Sequence, residues 1–251
     1  MDVDNPYAAS EFDELPPGAP AQGNSTALPW NPTEIFGIAW DRFKEYWIVL
    51  FLAVLLAEFL GNVPEWLAQF IQMYGGLELH SEVSLAIAYG ASFLGWLVDC
   101  LMAVGLARMF LQAARGETSP EFGMLFSGFD RVLPMLACLL ISQLAIGLGL
   151  VLLIVPGVFF ACVFFIADFL VVDQQLGPLR ALSTSWKLTK GHRLNIVVVG
   201  VFGILASLVG LLACLIGAFA AQALFGVCSA LIYLRLIGEQ TRGVRVWESW
   251  Q

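Results

Sequence analysis

The chain is 251 residues long, 59% hydrophobic and 13% charged, with a net charge of −8. A soluble domain carries about 25% charged and about 45–50% apolar residues, so this composition excludes a water-soluble globular protein. The apolar residues fall in runs long enough to cross a bilayer, which takes about 20 residues, and the chain reads as a polytopic membrane protein.

Residues 1–30 hold Asp2, Asp4, Glu11, Asp13 and Glu14 and no Lys or Arg, so most of the negative excess lies there. Pro6, Pro16, Pro17, Pro20 and Pro29 fall in the same stretch, with few large apolar residues. Such a composition cannot bury a core and predicts a disordered, acidic, Pro-rich cytoplasmic tail. A basic n-region and an apolar h-region are both lacking, so the tail does not read as a signal peptide. The first membrane helix is expected to direct insertion itself.

Apolar runs predict six spans within a membrane domain over 31–238: 46–63, 84–107, 132–154, 158–172, 195–215 and 217–234. The first can extend past Pro64. Pro156-Gly157 marks a break between spans three and four. The run over 195–234 is twice one span, so it holds two helices, with the turn expected near 215–218 at Gly217. Residues 239–251 form a short C-terminal tail. The fold class is an all-α, six-helix membrane bundle.

Cations distribute unevenly about these spans. Arg42 and Lys44 precede span one, and Arg108, Arg115 and Arg131 lie between spans two and three. Arg180, Lys187, Lys190 and Arg193 lie between four and five, and Arg235, Arg242 and Arg245 follow six. The alternate connections have none, and 64–83 carries Glu65, Glu78, His80 and Glu82 instead. By the positive-inside rule both termini are cytoplasmic.

The stretch before span five recurs in weaker form. Pro178 is followed eight residues later by Trp186 and then by cations. Pro32 is followed eight later by Trp40 and then by Asp41-Arg42-Phe43-Lys44. Pro120 is followed nine later by Phe129 and then by Asp130-Arg131. Each Pro suits a helix N1 position, where its missing N–H is unpaired in any case. Asn31 and Ser119 are suitable N-caps for two of them, and Gly177 precedes the third. This pattern predicts three units, each an amphipathic interfacial helix followed by a membrane hairpin. In the third unit Leu179, Leu182 and Trp186 share a face, with Arg180, Ser183, Lys187 and Lys190 on the others. Trp at the water–lipid boundary and Lys/Arg at phosphate headgroups are what an interfacial helix presents. Trp186, Lys187, Lys190 and Arg193 are therefore the candidate headgroup contacts.

Leu152-Leu153-Ile154-Val155-Pro156-Gly157-Val158 leads to Val171-Val172-Asp173, Gly177, Ala181-Leu182 and Ser185-Trp186-Lys187-Leu188-Thr189-Lys190-Gly191. This pattern resembles bacterial integral membrane proteins of unknown function, similar to the membrane domain attached to some glycerophosphoryl diester phosphodiesterases. The resemblance covers about 32–240 and is most specific over 150–193. Asn5-Pro6-Tyr7-Ala8-Ala9 also resembles a short signature that precedes bacterial membrane domains. The resemblance implies a six-helix bundle in the inner membrane with no assigned chemistry. The phosphodiesterase barrel has no counterpart here, because no polar stretch is long enough to hold it.

Three intramembrane carboxylates are candidates for a polar site. Asp99 lies mid-span, where a carboxylate costs about 2.5–3.5 kcal/mol on insertion scales. Ala88, Ser92, Gly95, Asp99 and Ala103 share one face of small residues, which predicts close helix packing with Asp99 directed into the bundle. Small-residue stripes also occur at Ser142, Ala145 and Gly149, at Gly200, Gly203, Ser207, Gly210 and Cys214, and at Gln222, Gly226, Ser229 and Tyr233. They read either as packing faces or as the walls of a polar path. Glu58 and Asp168 lie nearer the span ends, where they can pair or reach an interface, Asp168 with Arg108 or Arg180. His192, in a Lys-Gly-His-Arg run, has no visible nucleophile to serve and reads as headgroup-facing.

The five cysteines, Cys100, Cys138, Cys162, Cys214 and Cys228, all fall inside apolar runs, and there are only two histidines. Neither a disulfide framework nor a metal site is expected, no cofactor is implied, and the cysteines read as small packing residues. With no catalytic set in view, the expected role is a non-enzymatic scaffold or lipid-interacting bundle. Its expected partners are anionic headgroups on the cytoplasmic side. A transporter or channel component using Asp99 is the alternative. Nucleic acid is not an expected partner, and self-association or a membrane partner stays open.

Overall fold

A computed structural model describes residues 30–74, 81–116, 118–212 and 216–239. The acidic tail before Trp30, Glu78, His80, Cys214, part of the turn at 215–218, Arg242 and Arg245 lie outside the described residues. Within them the chain is all-helical: α1 (Pro32–Tyr74), α2 (Ser81–Arg115), a 3-10 helix (Phe122–Asp130), α3 (Val132–Leu152), α4 (Ile154–Phe164), α5 (Ala167–Asp173), α6 (Pro178–Leu188), α7 (Arg193–Leu212) and α8 (Ile216–Leu236). Six stretches are long and apolar enough to cross a membrane: Pro32–Met73, Glu82–Arg115, Val132–Leu152, Val155–Asp173, Arg193–Leu212 and Gly217–Leu236. This is a multi-pass membrane protein.

At 43 residues α1 is about 65 Å long, twice the hydrocarbon thickness of a bilayer. It bends at Tyr46 (φ −117°, ψ 16°), where the charged run over 41–45 gives way to apolar residues. The apolar arm of the helix therefore starts at this kink and continues through Pro64 to Tyr74. Pro64 deprives the Leu60 carbonyl of its helical donor, while the Asn62 amide donates to the Glu58 carbonyl at 2.7 Å.

Pro156 does not separate spans three and four. The break is one turn earlier, at Leu153, whose extended backbone (φ −165°, ψ 148°) lets α4 begin at Ile154. Pro156 then sits in the first turn of α4, where its missing N–H costs nothing. The fourth span is itself two helices, α4 and α5, stepped at Phe165 and Ile166.

Neighbouring spans pack closely, α1 along α2, α3 against α4 and α7 against α8, and α8 also packs on α1 and α2. Glycines make these crossings. A methyl at Gly95 would stand 2.6 Å from the Gly61 carbonyl, and one at Gly149 would stand 2.8 Å from Gly157. Gly210 and Gly217 abut in the same way, Gly203 lies under the Phe225 ring, and Gly226 lies under Phe110. Much of the core is built on α8, where Val227, Cys228 and the stretch over 230–234 are completely buried. It extends into the C-terminal half of α2 (Val104, Met109, Ala113, Ala114) and the N-terminal turns of α1 (Ile35, Ala39). At the opposite end Leu148, Val151, Leu152, Leu153 and Val155 are widely exposed, an arrangement that only lipid makes favourable.

Two local expectations change. The segment after Pro120 is a nine-residue 3-10 helix capped at Glu121, not an amphipathic α-helix capped at Ser119. Gly123, Ser127 and Gly128 weaken its α propensity, and the tighter coil lets it pack directly on α2. There Gly105 meets the Leu125 backbone, and Gly128 meets Leu101 and Val104. In α6 the buried face is Ala181, Leu182, Ser185 and, just beyond its end, Thr189, while Leu179 and Trp186 are exposed. Small residues bring α6 close enough for the Ser185 hydroxyl to donate to the Val163 carbonyl at 2.5 Å. Leu179 and Trp186 remain on the outside.

Candidate headgroup interface

The interface is built around the end of α6. Gly177 is extended (φ −67°, ψ 159°) and Pro178 begins the helix. Thr189 ends it, its hydroxyl donating to the Ser185 carbonyl at 2.8 Å. Gly191 then takes a positive φ of 95°, open to glycine at little cost. The chain turns there and α7 starts at Arg193. This turn gathers Lys187, Lys190, His192 and Arg193 beside Trp186.

Trp186 is 41% exposed and meets the Phe159 ring edge-on, with centroids 5.6 Å apart. The Arg193 guanidinium lies 4.6 Å from the centre of the Phe159 ring and 5.2 Å from that of Trp186. Two aromatic faces thus orient it, and its Nε is buried without a hydrogen-bond partner among the described residues. Lys187 and Lys190 project from the exposed side of the turn. His192 stacks on Trp30 at 5.9 Å.

The same end of the bundle holds the other cations described, and these are taken up by partners. Lys44 pairs with Asp41 at 2.9 Å and Arg42 with Glu45 at 3.3 Å. Arg108 grips both oxygens of Asp130 at 2.9 Å and also donates to Ser127. Arg115 bridges Asp173 at 2.9 Å and Glu239 at 2.7 Å, and Arg235 reaches Glu34 at 3.1 Å. Arg131 donates to the Gln175 side chain and lies 3.9 Å from Asp130. Arg180 is likewise engaged. Lys187, Lys190 and Arg193 differ: among the described residues none has a carboxylate partner.

Glu58 and Asp99 are electrostatic neighbours, and the Gln222 amide donates to Glu58 at 2.8 Å. Asp168, in α5, is an electrostatic neighbour of Cys138 and of Cys100, the residue that follows Asp99. Arg108, one expected partner for Asp168, is held by Asp130 instead. Asp99 is not directed into the bundle. Its carboxylate rests over Gly61 at the edge of the α1–α2 crossing and stays exposed. Gly95 takes the buried place on that face, because the two backbones approach too closely to admit a carboxylate between them. Beside Gln222, a largely apolar groove of about 510 Å³ between α7 and α8 is lined by Gly203, Ser207 and Phe225 among others.

One polar assembly has no counterpart in the sequence reading. Asp173 accepts from both Arg115 and the buried Tyr233 hydroxyl, the latter at 2.8 Å. Glu239 closes the same node from beyond α8. Of these residues, Arg115 and Asp173 border a cavity of about 300 Å³ together with Arg108, Gln112 and Thr118. The partners are 58 to 124 residues apart in sequence. Asp173 stood only inside the family-like pattern and Tyr233 only in a small-residue stripe, and neither signal told which Arg they meet.

Comparison with protein-family models, with curated proteins and with solved structures gives no match.

Proposed function

We propose that this protein is a non-enzymatic, lipid-interacting membrane bundle whose α6–α7 turn binds anionic headgroups on the cytoplasmic side of a bacterial inner membrane. One observation carries the reading: among the described residues Lys187, Lys190 and Arg193, beside a half-exposed Trp186, have no carboxylate partner, whereas the other cations described at that end are engaged. A cation left bare at the water–lipid boundary is attracted to phosphate, by about 1 kcal/mol for each Lys or Arg. The exposed Leu179 and Trp186 supply apolar anchors on the same helix. In this reading both termini are cytoplasmic, and the chain is built of three units that each enter the membrane through an interfacial segment. The likeness of 150–193 to bacterial membrane domains agrees with it. Transport through Asp99 is less supported, because Asp99 lies at the bundle edge.

The test is lipid retention. Lys187→Gln together with Lys190→Gln should weaken phosphatidylglycerol binding about thirtyfold, from about 2 kcal/mol in all. It is measured by mass spectrometry of lipid co-purified in neutral detergent. Lys44→Gln, which removes a cation already paired with Asp41, is the control and should retain lipid normally. Equal retention in all three proteins rejects the reading.

A further inference from the structure

The first 29 residues carry five carboxylates, Asp2, Asp4, Glu11, Asp13 and Glu14, and no Lys or Arg. They lead into Trp30, which is only 5% exposed and is stacked on His192. The chain therefore enters the bundle beside the turn that presents Lys187, Lys190 and Arg193. We propose that residues 11–14 of the tail dock on this patch of three cations and compete there with anionic headgroups. The competition rests on the headgroup reading above, whereas the contact itself does not.

Charge and reach both support the contact. Glu11, Asp13 and Glu14 match the three cations in number and oppose them in sign. The other arginines described at this end are engaged, so the patch offers the acidic stretch its clearest complement. Glu14 precedes Trp30 by 16 residues. A chain of that length spans about 20–24 Å at random-coil dimensions and over about 50 Å when extended. The tail has only to double back from an anchor already next to its target. Single exposed ion pairs are weak, but tethering holds the acids at an effective concentration of about millimolar. A contact of this kind is reversible and salt-sensitive, so headgroups or an ionic-strength change can displace it.

The experiment places p-benzoylphenylalanine at Ser183, which is exposed one turn before Lys187, in the full chain in an uncharged detergent. Cross-links formed on illumination are mapped by peptide mass spectrometry. The expected result is a cross-link from position 183 to the peptide containing residues 11–14. Its yield should fall about fivefold in Glu11→Gln/Asp13→Asn/Glu14→Gln, which removes three exposed pairs. It should fall similarly in about 0.5 M NaCl, where the Debye length is about 4 Å. Phosphatidylglycerol added to the wild type should also suppress it. No cross-link to the tail, or one that survives neutralisation, overturns the docking. A cross-link that resists the lipid overturns the competition and leaves the docking standing. Normal lipid retention through Lys187 and Lys190 without a cross-link overturns the docking and leaves the headgroup reading standing.

Discussion

A single methyl group distinguishes glycines that hold the helices together from glycines that do not. Gly95 faces the Gly61 carbonyl so closely that an added Cβ would stand 2.6 Å away, whereas Gly147 on α3 has nothing within 4 Å of the same position. Lipid tails are as apolar as leucine, so membrane helices associate through close packing rather than through the hydrophobic effect. Forcing α1 and α2 apart therefore costs contacts that water does not restore. Gly95→Ala should destabilise the protein by about 1–3 kcal/mol, the usual range for overpacking. Gly147→Ala should be neutral or stabilising by up to about 1 kcal/mol, because alanine is the better helix former. Thermal melting in one detergent, followed by circular dichroism, ranks the two variants. A Gly95→Ala protein that melts no lower than the wild type contradicts the close crossing. The pair also bears on Asp99, whose carboxylate has room only because Gly61 lacks a side chain.

Among the elements, the C-terminal ends of α2, α5 and α8 are joined by Arg115. Its guanidinium bridges Asp173 and Glu239, and Tyr233 holds Asp173 from the other side. All of these groups are partly or fully shielded, so removing the cation leaves two carboxylates facing each other with less water than they need. Arg115→Gln should cost about 2 kcal/mol, between the values for exposed and buried pairs, and should speed limited proteolysis just after α8. Tyr233→Phe removes one hydrogen bond and should cost about 1 kcal/mol. If Arg115→Gln melts like Lys44→Gln, whose exposed pair is expected to contribute little, the node does not tie these helices. This assembly was not legible in the sequence, because long-range pairing leaves no periodic trace. The apolar runs did reveal the six spans, since a bilayer fixes their length and excludes charge. The start of α6 was legible in Gly177-Pro178. Its buried face was not: the sequence grouped Leu182 with Leu179 and Trp186 on one apolar face, yet Leu182 packs inward with Ala181 and Ser185, small residues that carry little hydrophobic signal. The 3-10 helix after Pro120 escaped for a related reason, because its geometry comes from docking on α2 rather than from its own pattern.

For the molecule as a whole, charge and packing are concentrated at the same end. The N-terminus of α1 and the C-termini of α2, α5 and α8 meet there, joined by Arg235–Glu34 and Arg115–Asp173, with Trp30 stacked on His192. Many of these cations are neutralised by adjacent acids, but orientation depends on Lys and Arg rather than on net charge. The cation-rich end should therefore face the cytoplasm, and six spans return both termini to that side. Green fluorescent protein fused after Gln251 should fluoresce, and alkaline phosphatase fused at the same place should be inactive, because the latter matures only after export to an oxidising compartment. Fusions before Met1 should behave the same way. Phosphatase activity at either terminus reverses the orientation or changes the number of spans. It would also move Lys187, Lys190 and Arg193 to the other leaflet, and the lipid they meet would then have to be sought there.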